Sequence, residues 1–208
     1  MRLIHTSMFV ALAAFGLTAC NKQPDSATDS MAPATPAEAT ATTTPAEAPP
    51  PMMEAAAAAT AVADLAPTQG NETKGSVSFK VVDGRVHVTG QVSGLKPGSE
   101  HGFHIHEKGD CSAPDGASAG GHFNPGTQDH GSVASDPHHG GDMPNIKANA
   151  EGIATIDAPV STNVNIGKGD GFDIIGRGLI VHADADDYKT QPTGNAGARL
   201  ACAVIKAQ

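Results

Sequence analysis

Histidines are concentrated after residue 86, and their positions suggest a metal site. The 208-residue sequence has ten histidines, nine of which follow residue 86. His104 and His106 are two residues apart in the segment Gly-Phe-His-Ile-His-Glu. If that segment is a β-strand, both side chains project from one face, where two imidazoles can bind one metal ion. A His-x-His pair also arises by chance, so the prediction depends on further ligands.

Five further candidate ligands follow this pair along the chain. They are His122, His130, His139, Asp142 and His182. Imidazole is a ligand for both zinc and copper, and a carboxylate in a histidine-rich tetrahedral shell suits zinc. Six histidines and one aspartate are too many for one four-coordinate ion, but they fit two ions that share one histidine. A shared imidazole must lose both ring protons and bind through both nitrogens.

Short strands and glycine-rich turns are the elements predicted to position these residues. Residues 76–82 and 85–92 alternate in polarity, and Asp83-Gly84 between them predicts a hairpin turn. Further strand candidates are residues 101–106, 152–156, 178–182 and 199–206. No ten-residue window has a convincing helical period, and the 24 glycines and 15 prolines argue against long helices. The sequence therefore predicts an all-β barrel or sandwich with two long glycine-rich loops.

The first 67 residues differ in composition from the rest. Residues 1–19 combine Arg2 with a short apolar run and end in Leu-Thr-Ala before Cys20. This resembles the lipobox of bacterial lipoproteins, in which the cysteine carries lipid; an ordinary secretory signal peptide is the alternative. Residues 20–67 are rich in Ala, Pro and Thr and contain no aromatic residue, which predicts a disordered tether. The folded domain is then expected to span residues 68–208, a normal size for a single domain.

The overall composition excludes several classes of protein. The formal net charge is −9, and no basic stripe is present, so nucleic acid is not an expected partner. No apolar run is long enough to form a permanent transmembrane helix.

Three sequence motifs resemble the signatures of the copper/zinc superoxide dismutase family. They occupy residues 102–107 (Gly-Phe-His-Ile-His-Glu), 121–125 (Gly-His-Phe-Asn-Pro) and 194–202 (Gly-Asn-Ala-Gly-Ala-Arg-Leu-Ala-Cys). The motifs occur in the family's order, and the resemblance covers residues 73–206. It implies an eight-stranded Greek-key β-barrel or sandwich with one copper and one zinc ion per subunit. The implied reaction is dismutation of superoxide to dioxygen and hydrogen peroxide.

The resemblance also implies a role for each matched residue. The implied copper ligands are His104, His106, His122 and His182, and the implied zinc ligands are His122, His130, His139 and Asp142. His122 would then bridge the two ions. Arg199 resembles the active-site arginine beside copper, and Asp186 resembles the carboxylate that links a copper-bound to a zinc-bound histidine. Cys111 and Cys202 resemble the family's intrasubunit disulfide.

Two residues near these motifs have alternative interpretations. His138 directly precedes His139, so either can be the ligand, although the spacing to Asp142 favours His139 by resemblance. Lys189 lies ten residues before Arg199. It can steer an anionic substrate towards the site, or it can be a solvated surface charge.

The resemblance to bacterial lipoproteins implies a location, and the dismutase family suggests an assembly. Lipid on Cys20 would anchor the protein to a membrane of the bacterial cell envelope, on the periplasmic side, and Asn21 favours the outer membrane over the inner. The expected role is protection of the envelope against external superoxide. A homodimer is a candidate assembly, since bacterial members of the family differ in how they pair. The alternative function is an envelope copper/zinc buffer or carrier. Loss of Arg199 or His122 would favour that alternative, but the sequence retains both residues.

Overall fold

The computed structural model describes residues 59–208, and these residues form an all-β fold. The ten strands are β1 (Thr60–Pro67), β2 (Lys74–Val82), β3 (Arg85–Ser93), β4 (Glu100–His101), β5 (Phe103–His106), β6 (Ile146–Lys147), β7 (Ala154–Pro159), β8 (Gly178–His182), β9 (Arg199–Val204) and β10 (Lys206–Ala207). A short 3-10 turn lies at Ala117–Ala119. Within residues 59–208 no helix is long and apolar enough to cross a membrane.

Eight strands form one curled antiparallel sheet. Its order is β5-β8-β9-β1-β2-β3-β7, and β10 also pairs with β1, while β4 and β6 form a separate two-stranded sheet. Several neighbours in space, such as β1 and β9, are distant in the chain, so long connections cross the ends of the sheet in the Greek-key manner. The predicted fold class is confirmed.

The hairpin between β2 and β3 forms where the sequence predicts it. Val82 pairs with Arg85, and the two turn residues, Asp83 and Gly84, have φ angles of 51° and 79°. Positive φ at both positions is typical of a type I′ turn, which matches the twist of the flanking strands. Phe79 of β2 is fully buried, whereas Val81, at the end of the hairpin, is 41% exposed.

The folded domain begins earlier than the sequence analysis predicts. Residues 60–67 form β1, which pairs with β2 from Thr60 opposite Lys80 to Leu65 opposite Gly75. Ala61, Ala63 and Leu65 are buried in the core. The predicted domain boundary at residue 68 is therefore wrong, because small apolar residues at alternate positions suffice for a strand whose neighbours supply larger side chains. Cys20 and the predicted signal peptide and tether, up to residue 58, lie outside the described residues.

Strand β5 connects the core to the site. Phe103 and Ile105 pack in the apolar core together with Leu179 and Val181 of β8. Because side chains alternate across a strand, His104 and His106 project from the opposite face of the sheet. They are nevertheless completely buried, so the loops that carry the other ligands must cover this face.

Candidate metal centre

Strand geometry places three histidines at the base of the site. His104 and His106 project from β5, and His182 ends the neighbouring strand β8. The pairing of β8 with β9 has an irregularity after Val181, which brings Arg199 opposite His182. The sheet therefore presents three imidazoles and one guanidinium at one end.

Two groups of candidate ligands meet above these strands. One group is His104, His106, His122 and His182; the other is His122, His130, His139 and Asp142. In each group the candidate ligand atoms lie within 4.8 Å of one another, and all seven residues are buried. His122 belongs to both groups. The structure thus brings together the seven residues that the sequence analysis selected. We call the two groups the copper group and the zinc group, after the ions that the resemblance implies for them.

Unpartnered nitrogens in both groups are suited to binding cations. His104 Nδ1, His122 Nε2 and His139 Nδ1 are buried and have no hydrogen-bond partner. His106 Nε2 and His182 Nε2 face each other at 3.3 Å. Buried polar atoms in proteins are normally hydrogen-bonded, and the neutral imidazole nitrogen is the commonest metal ligand. Three histidines with one carboxylate fit zinc, and four histidines without a carboxylate fit copper.

The remaining imidazole nitrogens of the copper group contact acceptors that fix the rings. His106 Nδ1 lies 2.9 Å from the carbonyl oxygen of Gly120, and His182 Nδ1 lies 3.3 Å from that of Gly197. A carbonyl oxygen only accepts, so each of these Nδ1 atoms carries the proton and leaves Nε2 free for a metal.

Asp186 connects the two groups, as the resemblance implies. Its Oδ2 lies 2.8 Å from His104 Nε2, and its Oδ1 lies 3.0 Å from His130 Nε2. Its Oδ1 also accepts a hydrogen bond from the backbone N–H of Tyr188. Burial opposes ionisation of this carboxyl, but the hydrogen bonds from the two histidines outweigh it and hold the pKa of Asp186 well below its usual range.

Asp142 organises the zinc group. Its Oδ1 lies 2.8 Å from His122 Nδ1 and 3.0 Å from His130 Nδ1. Its Oδ2 accepts hydrogen bonds from the backbone N–H groups of Gly131 and His139. Although burial acts in the opposite direction, these donors keep the pKa of Asp142 far below its usual value. The carboxylate is therefore charged at any physiological pH.

The pKa values of the buried histidines shift in different directions. Burial lowers the pKa of His122 to about 4, against the opposing influence of Asp142, and lowers the pKa of His182 to about 3. For His130, burial acts in the same direction, but the hydrogen bonds that its ring nitrogens donate to Asp142 and Asp186 outweigh it and raise the pKa to about 9. His122 and His182 are therefore neutral at pH 7, which is the form that binds metals.

Arg199 is held in a fixed position beside the copper group. Its Nη1 donates to the carbonyl oxygen of Gly116, and its Nη2 to that of Gly120, both at 2.6 Å. The Gly120 carbonyl oxygen also accepts from His106 Nδ1. Burial lowers the pKa of Arg199, but a guanidinium remains charged in proteins. The result is an oriented cation that shares a hydrogen-bond acceptor with a copper-group histidine.

The predicted disulfide is confirmed. Cys111 and Cys202 are bonded across 91 positions of sequence, with their Cα atoms 5.8 Å apart. Cys202 lies in β9, three residues after Arg199. The bond therefore ties the loop that contains Gly116 and Gly120 to the strand that contains Arg199.

Two residues with alternative interpretations lie outside both groups. His138 Nδ1 is 2.9 Å from the carbonyl oxygen of Ser135, and its Nε2 is 3.0 Å from Ser161 Oγ. His139, and not its neighbour His138, is thus the histidine that joins Asp142. Lys189 lies exposed in the loop that follows Asp186.

The sequence analysis missed two amide side chains that hold ligand segments in place. Asn145 Nδ2 donates to the carbonyl oxygen of Asp186, and the backbone N–H of Asp186 donates to Asn145 Oδ1, both at 2.9 Å. Gln191 forms the same kind of pair with the backbone of His130. No local pattern could have identified them, because each pair joins residues that are far apart in sequence.

Comparison with curated relatives gives matches over most of the folded region. The chain is 41% identical over 125 residues to the superoxide dismutase-like protein YojM of Bacillus subtilis, covering 58% of this chain and 61% of the relative. It thus spans less than two thirds of that protein. It is 38% identical over 147 residues to superoxide dismutase [Cu-Zn] 2 of Aquifex aeolicus, covering 69% of this chain and 85% of the relative.

A solved structure and a family profile agree with these matches. The crystal structure of the clock protein EA4 has a TM-score of 0.62 and 39% sequence identity, covering 72% of this chain and 94% of that one. The profile described as copper/zinc superoxide dismutase (SODC) matches residues 73–205, which is more than half of the chain and includes both ligand groups. This chain therefore belongs to the copper/zinc superoxide dismutase family.

Proposed function

We propose that this protein catalyses the dismutation of superoxide, in which two superoxide anions and two protons give dioxygen and hydrogen peroxide. The observation that carries the proposal is His122, which lies in both the copper group and the zinc group. A shared imidazole gives the two sites a common ligand, which two independent storage sites would not need. The family and the relative named as a copper/zinc superoxide dismutase support the same reaction.

The donor sets differ in the chemistry that they support. Copper held by His104, His106, His122 and His182 would supply one-electron redox chemistry, which zinc cannot perform. The zinc group would hold its ion through His122, His130, His139 and Asp142, a closed set of four ligands. Closed four-ligand zinc sites are typically structural, so we assign this group to holding the loop and His122 in place.

Arg199 is the residue proposed to bind the anionic substrate. Its guanidinium is fixed by the carbonyl oxygens of Gly116 and Gly120 and shares the latter with His106. A permanently charged planar donor can attract and orient a small anion. The chain as a whole has a net charge of −9, so attraction of an anion must be local to this site.

His122 is the residue proposed to move a proton. Its Nδ1 is held by Asp142 Oδ1 at 2.8 Å, which directs the unpartnered Nε2 away from the zinc-group carboxylate. An imidazole nitrogen in this position can hold a proton at Nε2 and deliver it to reduced substrate.

The activity is tested on the full chain loaded with copper and zinc. Arg199→Ala should lower the rate constant for superoxide about 10- to 100-fold, which is the usual range for loss of one charged hydrogen bond. Arg199→Lys keeps the charge without the planar geometry and should retain part of the activity. A chain that binds both metals tightly and shows no dismutation would contradict the proposal and favour a copper/zinc buffer or carrier.

We also propose that lipid on Cys20 anchors the enzyme on the periplasmic side of the bacterial envelope, preferably at the outer membrane, where it removes external superoxide. The Leu-Thr-Ala-Cys motif before Asn21 supports this proposal. Membrane fractionation of cells that express the native chain or Cys20→Ala tests it, because only the native chain should cofractionate with membranes. Equal resistance to external superoxide with and without the protein would contradict the protective role. Light scattering on the purified chain tests for a homodimer.

A further inference from the structure

Gln191 holds the backbone of a zinc-group histidine from a different loop. Its Nε2 donates to the carbonyl oxygen of His130 at 2.9 Å, and its Oε1 accepts from the backbone N–H of His130 at 2.9 Å. The two residues are 61 positions apart in sequence. A single exposed side chain therefore satisfies both polar backbone groups of a buried candidate ligand.

This contact replaces a strand partner that His130 lacks. In an antiparallel sheet, a hydrogen-bonded pair of residues exchanges two N–H···O bonds, which fixes their relative position. Residues 124–140 contain no regular strand in the structure, so the His130 peptide has no such neighbour. The amide of Gln191 supplies both bonds, and two bonds to one residue restrain both its position and its orientation.

The loop that contains Gln191 also holds the His130 ring. Asp186 Oδ1 lies 3.0 Å from His130 Nε2, and the other ring nitrogen, Nδ1, lies 3.0 Å from Asp142 Oδ1. Gly194, with φ of +65°, allows this close approach, because a Cβ there would overlap the Asp186 carboxylate and lie 2.7 Å from His130 Nε2. Residues 186–194 therefore surround His130 at its backbone and at the ring edge opposite the zinc group.

We propose that Gln191 is a positioning residue for zinc. By binding the His130 peptide, it holds Nδ1 in the zinc group and slows release of the ion. The inference rests on the assignment of zinc to His122, His130, His139 and Asp142 made under the proposed function. Contacts that orient a metal ligand from outside the coordination sphere typically change metal affinity about 10- to 100-fold.

Two substitutions and a matched control test the role. Gln191→Ala removes both hydrogen bonds, whereas Gln191→Glu keeps an acceptor for the His130 N–H and has no donor for its carbonyl oxygen. Asn124→Ala is the control, because the Asn124 amide forms the same reciprocal pair with the backbone of Gln128, at 2.8 and 3.0 Å. That pair links residues four positions apart, and neither amide side chain hydrogen-bonds to a residue of the two ligand groups.

The measurement is the rate of zinc release from the copper- and zinc-loaded full chain to a chromophoric chelator. Gln191→Ala should release zinc about 10- to 100-fold faster and alter the visible spectrum of cobalt(II) substituted for zinc, with Gln191→Glu between it and the parent. Copper release and Asn124→Ala should match the parent. The proposal is overturned if Gln191→Ala keeps the parental release rate and spectrum, or if Asn124→Ala or copper release changes equally. A parent chain that retains no zinc would instead overturn the zinc assignment.

Discussion

The curled sheet and the loops above it are stabilised by different interactions. In the sheet, regular antiparallel pairing joins β1, β2, β3 and β7, and side chains such as Phe79 and Val88 are completely buried. In the loops of residues 107–145 and 183–198, the buried side chains include His122, His130, Asp142 and Asp186. Hydrogen bonds among these polar groups, and the disulfide, replace apolar packing there.

The sheet and the loops should therefore respond differently to the loss of a single side chain or of a metal ion. Burial of apolar surface is non-directional, so the sheet tolerates some loss of individual contacts. A buried polar network costs stability as soon as one partner is missing, and several nitrogens here have no protein partner. We therefore expect the loops to depend on metal ions and the sheet to fold without them.

The largest expected effect on activity comes from the shared ligand. His122→Ala should lower dismutation by about 100-fold or more, because it removes a proton-carrying group and a ligand from both groups. Metal analysis should show loss of copper and zinc together. His87→Ala, on strand β3 of the sheet, is the control and should retain activity and metal content. Retention of both metals by His122→Ala would contradict the shared assignment.

A substitution in the core of the sheet should lower stability but leave metal binding intact. Phe79→Ala removes a fully buried ring from β2 and should lower the free energy of unfolding by about 3–5 kcal/mol in urea titrations. Val81→Ala on the same strand, where the side chain is 41% exposed, should change it by less than about 0.5 kcal/mol. In the absence of urea, where both variants should be folded, both should retain copper and zinc. Loss of zinc from folded Phe79→Ala would show that the sheet and the loops are not separable.

The pH dependence of stability should report on the loops. In the metal-free protein the pKa values of His122 and His182 are about 4 and about 3, below the 6.5 of an unfolded histidine. The unfolded chain therefore binds more protons, and stability should fall as the pH drops from about 6.5 towards 4, by about 1.4 kcal/mol per pH unit for each group.

The contribution of His130 to stability depends on pH in the opposite direction. Its pKa of about 9 is raised, so its contribution is present below pH 6.5 and is lost as the pH rises towards 9. The metal-free protein should thus be most stable near pH 6.5 in urea titrations at several pH values. A flat profile between pH 4 and 9 would show that these histidines titrate alike in the folded and unfolded states.

The smallest expected effect concerns Lys189. This exposed residue lies in the same loop as Asp186, where its charge can attract an anion from solution. Lys189→Ala should lower the bimolecular rate constant about twofold at low ionic strength, and the difference should vanish at high salt because of screening. A rate equal to that of the parent at low salt would leave Lys189 as a solvated surface charge.

Local sequence signals predicted some strands of the fold and missed one. The alternation in residues 76–92 and the Asp83-Gly84 turn predicted the hairpin, because these signals are local. The strand Thr60–Pro67 was not predicted, because its composition resembles that of the preceding Ala-rich segment. Its strand conformation depends on pairing with β2 and β9, which are distant in sequence. The preference for His139 over His138 came from the resemblance, and the structure supplies its geometric basis.

The sequence by itself determined the ligand chemistry: six histidines, one aspartate, one arginine and a cysteine pair in motifs typical of one family. Residue type carries this information, because only certain side chains bind metals or form disulfides. The tertiary structure decided how the ligands are held. Asn145 against Asp186, and Gln191 against His130, are contacts between loops that approach each other only after the sheet has formed. Such contacts depend on non-local geometry, which no spacing along the chain records.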